Sequence, residues 1–364
     1  MPDAMTNLQL FRDLAGLNQQ ELGSVVKVTR QTIAAWEKGE REPSALQLAR
    51  LAKVLHVSLE SLLGMEEEQE TVLLFRADNP QVLSRGVRQL LSEKAEDYAA
   101  IERYAGVLPV LPEARPLSGF EEEIVERVAV EVRDWLGVER APLGNVIQLL
   151  ENKGLKIILD TLPAEVSGFS AYTEELSGII VVNAGHALER QYFTCLHELG
   201  HLIFHRREYS VPSEPARKRG DPREKTAHRF ASATLLPREI MTDELGAFAG
   251  RWIPEPVLVD MKLRYRVSQR TVVFRAGDLG LISKQQAGQQ VGVINKLYGL
   301  NDERPKLTTE EDERRPMGRL QRLTYRALLA DRISESRAAE VLAVPLAEIR
   351  QQLQGYLANP ALDV

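Results

Sequence analysis

The chain has 364 residues, with 46 Lys or Arg against 52 Asp or Glu, a formal net charge of -6, and 44% hydrophobic and 27% charged residues. This globular composition excludes a fibrous or disordered chain, and at roughly 100–200 residues per domain it implies two or three domains. No run of about 18 apolar residues occurs, and the start, MPDAMTNLQLFRDL, has neither a basic n-region nor an apolar h-region; the expectation is a cytoplasmic protein with no membrane partner. A single cysteine, Cys195, excludes an internal disulfide and a cysteine-based metal cluster, so any metal must sit on histidines and carboxylates.

Over residues 7–63 apolar residues recur at spacings of three and four: Leu8, Phe11 and Leu14, then Leu22, Val25 and Val26, then Ile33 and Trp36, then Leu46 to Leu55, and Leu59 to Leu63. The pattern predicts five short helices, with Asn18, Thr29, Ser44 and Ser58 at helix starts and Gly39 closing one of them. LNQQELGSVVKVTRQTIAAWEKGEREPS resembles the helix-turn-helix of the Cro/cI-type repressors, the XRE family. In that resemblance Leu22, Val25, Val28, Ile33 and Trp36 lock two helices together, while Ala34 and Ala35 keep the outer side of the second helix small. It implies binding to double-stranded DNA. Arg30, Gln31 and Thr32 are the candidates for base edges, and Gln19, Thr29, Lys38 and Arg41 for phosphates. A homodimer is expected, because one such helix reads only a half-site of about three to five base pairs. Residues 1–64 carry as many acids as bases, so a structural or protein-binding module of the same shape is the competing reading.

From Met65 the run EEEQE marks a boundary. One helical pattern follows over 80–105, then LPVLPEARPLSGF, whose prolines forbid regular helix. Helices are predicted from Glu121 to Leu136 and near Leu143–Asn152. GLKIILD, GFSAY and SGIIVVN then read as strands of a small antiparallel sheet beside helices, an α+β core. Beyond Asn183 the chain reads as helical. The charged loop REYSVPSEPARKRGDP interrupts it, and a second charged stretch, NDERPKLTTEEDERRP, sets off a helical tail over 317–358. In that tail ISESRAAEVLAVPLAEI has helix-turn-helix spacing.

The sharpest signal is His197-Glu198-Leu199-Gly200-His201, within the helix-compatible run YFTCLHELGHLIFH. Residues four apart on a helix share a face, so both imidazoles can reach one ion while Glu198 stands beside the open coordination position. The metal expected is Zn2+, and the chemistry is peptide hydrolysis with Glu198 as the base. His205 is poorly placed as third ligand, lying about 80° and roughly 12 Å from His197 on a continuous helix. In REKTAHRFASATLLP, Glu224 and His228 share one face of a second helix, and Glu224 is the preferred third ligand. Cys195 points away from His197 and reads as core packing. Tyr172, on a predicted strand, offers either a hydroxyl to an oxyanion or ordinary packing.

HELGH followed by E-x-x-A-H-R-F-A-x-A-x-L-L-P, with the SGFSAY and GIIVVN strands upstream, resembles the ImmA/IrrE family of zinc metallopeptidases over residues 120–290. The resemblance implies a zincin-like fold with His197, His201 and Glu224 on zinc and Glu198 as the catalytic base. Many members have Asn where this chain has His228, which leaves His228 as a group behind the ligands or as an auxiliary ligand. The expected architecture is multidomain and mainly α. It comprises a helix-turn-helix domain (1–64), a linker with one helix (65–117), the metallopeptidase domain (118–255), a helical extension (256–300), and a charged linker with a helical tail (301–364).

The resulting expectation is a DNA-binding metalloendopeptidase that cleaves a protein partner, a repressor or antitoxin by family resemblance, to change transcription under stress. A protease acting on its own DNA-binding module is a variant of this. The alternative is a regulator whose peptidase-like domain senses or binds a partner without hydrolysis. A further reading has the basic loop, with Arg206, Arg207, Arg217, Lys218, Arg219 and Arg223, sensing a polyanion.

Overall fold

The computed structural model describes residues 6–15, 17–55, 57, 59–63, 76–77, 85–210, 220–299, 302–307 and 317–357. It divides into two compact units: Met1–Leu73 with Leu83–Leu108 and Leu320–Val364, and Leu74–Val82 with Pro109–Arg319. Among the described residues no helix is long and apolar enough to cross a membrane.

The first unit opens with five helices, α1 (Thr6–Leu14), α2 (Gln19–Val26), α3 (Arg30–Glu37), α4 (Ala45–Leu55) and α5 (Leu59–Leu63). They close over Leu8, Phe11, Leu22, Val26, Ile33, Trp36, Leu51, Leu55 and Leu62. Local chemistry fixes the ends. Asn18 forms a capping box with Glu21 at the start of α2, and the Thr29 hydroxyl accepts from the Thr32 amide at the start of α3. Ser44 accepts from the Gln47 amide before α4, whereas Ser58 lies outside the described residues.

Between α2 and α3, Lys27 takes a left-handed conformation at φ 62° and the Val28 amide returns to the Gly23 carbonyl at 2.8 Å. A Cβ at Gly23 would stand 2.8 Å from the Val28 carbonyl oxygen, so this tight corner needs a glycine. The same unit holds α6 (Arg85–Tyr104) and the tail helices α15 (Arg319–Leu329, from Leu320 on), α16 (Glu335–Val341) and α17 (Leu346–Leu357). Arg337 of α16 pairs with Asp97 of α6. The α16–α17 corner repeats the α2–α3 device, with Ser334 capping the first helix and Ala343 left-handed at φ 53°.

The second unit contains β1 (Arg76–Ala77), α7 (Glu122–Leu136), α8 (Val146–Asn152), β2 (Lys156–Asp160), β3 (Gly168–Thr173), β4 (Ser177–Asn183), α9 (Leu188–Phe204), α10 (Pro222–Leu235), α11 (Arg238–Leu245), α12 (Glu255–Tyr265), α13 (Gln269–Asp278) and α14 (Lys284–Tyr298). The sheet order is β1-β3-β4-β2, and here the sequence expectation is corrected: the sheet is mixed, not antiparallel. β3 and β4 form the expected antiparallel pair, but β4 lies parallel to β2, Lys156 opposite Ile179 through Asp160 opposite Asn183. The segment after β2 passes beyond the place of β4 before β3 begins, so the hairpin returns β4 into the gap. Asn183 holds that passage. Its side-chain amide donates to the carbonyls of Leu162, Pro163 and Val166 at 3.1, 3.2 and 2.8 Å and accepts from the Leu162 and Gly185 amides.

A continuous core from Val125 to Ile294 runs beneath the sheet and through the helices, with α9 at its centre. Two buried arginines tie the helices to one another. Arg133 of α7 donates to the carbonyls of Thr234, Glu139 and Ala141. Arg275 of α13 donates to the Leu236 carbonyl and pairs with Glu126 of α7.

Candidate metal centre

The α9 residues Leu196, Leu199, Leu202 and Ile203 are fully buried, so the helix is pinned against the core and the orientation of its histidines is fixed. α10 crosses it closely at Gly200, where a Cβ would meet the Ala227 Cα at 3.2 Å and the Phe230 ring at 3.1 Å. That approach brings the first turn of α10 to the HELGH face. Asp221 caps α10 by accepting from the Arg223 amide, and Pro222 occupies the first helical turn. Glu224 then sits in that turn, where the helix dipole favours a carboxylate.

His197 Nε2 and His201 Nε2 lie 3.1 Å apart, and Glu224 Oε2 and Oε1 lie 3.2 and 3.3 Å from them respectively. Three groups that are electron donors in their metal-binding forms therefore converge on one point. Bonds of about 2.0–2.1 Å to a tetrahedral ion give ligand–ligand edges of about 3.3 Å, so the spacing fits a zinc-sized centre. His197 and His201 are buried and Glu224 is half-buried. His228 is exposed, with its ring 4.6 Å from that of His197 and 5.5 Å from Phe193. His197, Glu224 and His228 together form a group able to hold a metal ion, the only such group among the described residues.

Glu198 is 2% exposed, and its Oε2 accepts from the Ser170 hydroxyl of β3 at 2.5 Å. Ser170 Oγ is in turn 2.6 Å from the Tyr209 hydroxyl. An ionised carboxylate only accepts, so the Ser170 proton points to Glu198 and Tyr209 donates to Ser170. His205, which ends α9, has its Nδ1 3.0 Å from His201 Nδ1 and so engages the ring nitrogen facing away from the converging donors. Ser170 and Tyr209 carry no signal in the linear pattern, since β3 register alone brings Ser170 beneath α9. His205 does carry one: it repeats the four-residue step from His197 to His201.

Cys195 is fully buried in the core and burial pushes its thiol up from the ordinary range, which fits the packing role expected of it. The Arg206 guanidinium lies over the Tyr172 ring at 5.4 Å and donates to the carbonyls of Leu202 and Pro112. Arg223 is held by Asp221 and Glu208. Arg217, Lys218 and Arg219 lie outside the described residues.

In the first unit Arg30, Gln31 and Thr29 are exposed at the start of α3, and Lys38 and Arg41 are exposed beyond its end. Thr32 is half-buried, its hydroxyl 2.8 Å from that of Thr29. Gln19 is half-buried and donates to Glu37 at 2.7 Å, a carboxylate that also binds Arg12.

Two family models match. One, described as an IrrE N-terminal-like domain and classed with the peptidases, spans residues 150–276, and the other, described as helix-turn-helix, spans residues 8–62. The chain is 43% identical over 53 residues to the uncharacterized HTH-type transcriptional regulator YgzD of Bacillus subtilis, covering 15% of this chain and 80% of that protein. It is 36% identical over 62 residues to an uncharacterized HTH-type transcriptional regulator of Methanocaldococcus jannaschii, covering 17% of this chain and 94% of that one. A solved Mycobacterium tuberculosis transcriptional regulator aligns with 16% identity and a TM-score of 0.32, covering 50% of this chain and 51% of that structure.

Proposed function

The chain belongs to the helix-turn-helix regulators and carries an IrrE N-terminal-like domain, and from that premise we propose that it is a DNA-binding zinc metalloendopeptidase that cleaves a protein partner, a repressor or antitoxin, to change transcription under stress. The observation that carries the reading is the convergence of His197 Nε2, His201 Nε2 and Glu224 within 3.1–3.3 Å, with the Glu198 carboxylate on the same helix. His197, His201 and Glu224 would hold zinc, which when bound acidifies water and polarises a carbonyl. Glu198 takes the proton of the attacking water and passes it to the leaving amine. Ser170 fixes the carboxylate for both transfers, and His205 fixes the His201 ring.

The domain division at 64, 117, 255 and 300 belongs to this proposal. So does the assignment of Arg30, Gln31 and Thr32 to base edges and of Gln19, Thr29, Lys38 and Arg41 to phosphates, with a dimer supplying two half-sites. A second reading is favoured by His228: as a fourth protein ligand it would close the site, and closed zinc sites are structural rather than catalytic. The protein would then be a non-hydrolytic regulator.

Glu198→Gln separates the two. On the peptidase reading the variant keeps its zinc and loses about 10²–10⁴-fold in cleavage of a partner, together with the transcriptional response. A full response from zinc-loaded Glu198→Gln protein contradicts it and leaves the regulator reading.

A further inference from the structure

Within the second unit, α7 and the α10–α11 corner border a cavity of about 510 Å³ that the metal centre does not use. Pockets that take small organic molecules have volumes of roughly 300–1,000 Å³. Val130 of α7, Ala233 of α10 and Ile240 of α11 give this one an apolar wall, on which Val130 is an exposed aliphatic side chain. Arg133 stands in the same wall, and Arg127 and Arg238 are exposed at the rim.

Arg133 is the member that ordinary packing does not account for. It is 2% exposed, and its three hydrogen bonds go to neutral carbonyls, of Thr234 and Ala141 at 2.6 Å and of Glu139 at 2.8 Å. Two of its five N–H groups are left over, and among the described residues no carboxylate pairs with it. The buried Arg229, Lys262 and Arg275 each meet a carboxylate instead. Burial brings the Arg133 guanidinium down to about 10, against the weaker opposing pull of Tyr265 and Asp134. A buried cation without a carboxylate is costly to keep, and this one borders an opening large enough for a counter-anion to enter. The cavity's own acids do not serve: Glu126 is held by Arg275 and Arg229, while Asp134, Glu139 and Glu239 are exposed and form no ion pair with Arg133. At the rim, Arg127 and Arg238 have carboxylates no closer than 3.9 Å, those of Glu131 and Glu122.

We propose that this cavity binds a small organic anion, with its acidic group, a carboxylate or a phosphate, against Arg133, Arg127 and Arg238 and its apolar body against Val130 and Ile240. The site is separate from the metal centre. Glu224 lies in the first turn of α10, whereas Ala233 and the Thr234 carbonyl that holds Arg133 lie in the last. Ten residues of helix span about 15 Å, so the ligand touches the far end of the helix that carries Glu224. The inference does not rest on the metallopeptidase reading.

The experiment uses the full chain and 8-anilinonaphthalene-1-sulfonate, whose sulfonate and aromatic body match this chemistry and whose fluorescence rises when it leaves water. Binding is expected to saturate near one equivalent and to weaken about tenfold when Arg127→Glu and Arg238→Glu are combined, since each reversal replaces an attraction by a repulsion. Val130→Trp, which fills the cavity from an exposed position, is expected to abolish it while the thermal melt stays that of the wild type. The uncharged N-phenyl-1-naphthylamine is expected to bind far more weakly than the sulfonate. Displacement of the sulfonate by 1-naphthyl phosphate or by 1-naphthoate then identifies the acidic group. No saturable binding, or binding that survives Val130→Trp, overturns the site. Equal affinity for the uncharged analogue, or displacement by neither competitor, overturns the assignment to an anion.

Discussion

At the Glu198 carboxylate the direction of each hydrogen bond is forced, and a measurable consequence follows. Ser170 must donate to Glu198, and Tyr209 must donate to Ser170, so deleting the serine hydroxyl frees the carboxylate without touching the three metal-binding groups. Ser170→Ala is expected to keep its zinc and to bind acetohydroxamate, a probe that donates a proton to the base, about tenfold more weakly, roughly 1.4 kcal/mol or one hydrogen bond. Ser170→Thr restores the affinity. Equal affinity in wild type and Ser170→Ala contradicts the positioning role. The groups that converge were legible in the sequence because helical spacing alone aligns His197 with His201 and because Glu224 lies in the first turn of a helix with a clear apolar face. The groups behind them were less so. Ser170 faces Glu198 only through strand register, and Tyr209 lies in a 3-10 turn, Arg206–Ser210, that periodicity does not reveal.

Among the elements, the helices were readable from their caps and apolar faces, and Asn18 and Thr29 do the capping expected of them. Strand existence was readable too, but not strand direction: alternation and β-branching in KIILD and GIIVV are the same for parallel and antiparallel neighbours. What places β2 beside β4 is Asn183, a polar residue whose partners lie some twenty positions upstream. The α7–α10–α13 junction yields a pH prediction. Burial alone would raise the Glu126 carboxyl, but hydrogen bonds and charge from Arg275 and Arg229 outweigh it and hold the group below its ordinary range. A carboxyl depressed in the folded state contributes stability above its unfolded value of about 4.3, and that contribution is lost as pH falls through the folded value. Glu126→Gln should therefore cost about 3 kcal/mol at pH 7, since it leaves Arg275 buried opposite a neutral group, and progressively less on acidification. Denaturant melts at pH 7 and pH 3 check this, and a penalty that does not shrink with pH contradicts it.

At the scale of the molecule, the net charge of -6 says little about function because the two candidate surfaces are local. One is the exposed start of α3 with Arg30 and Gln31, and the other is a cluster of two buried imidazoles and a half-buried carboxylate where α9 and α10 meet. Linear sequence revealed both because each depends on a short helical motif. It did not reveal β1 at the edge of β3, since two residues of strand leave no periodic trace.

Every chemical step proposed for this chain depends on one ion at the α9–α10 crossing. The most direct test is elemental analysis of the purified full chain after zinc loading and desalting, beside His197→Ala and Glu224→Ala. The account predicts about one equivalent of zinc in the wild type and a loss of most of it in both variants. A wild type that retains no zinc, or variants that retain as much as the wild type, would contradict it.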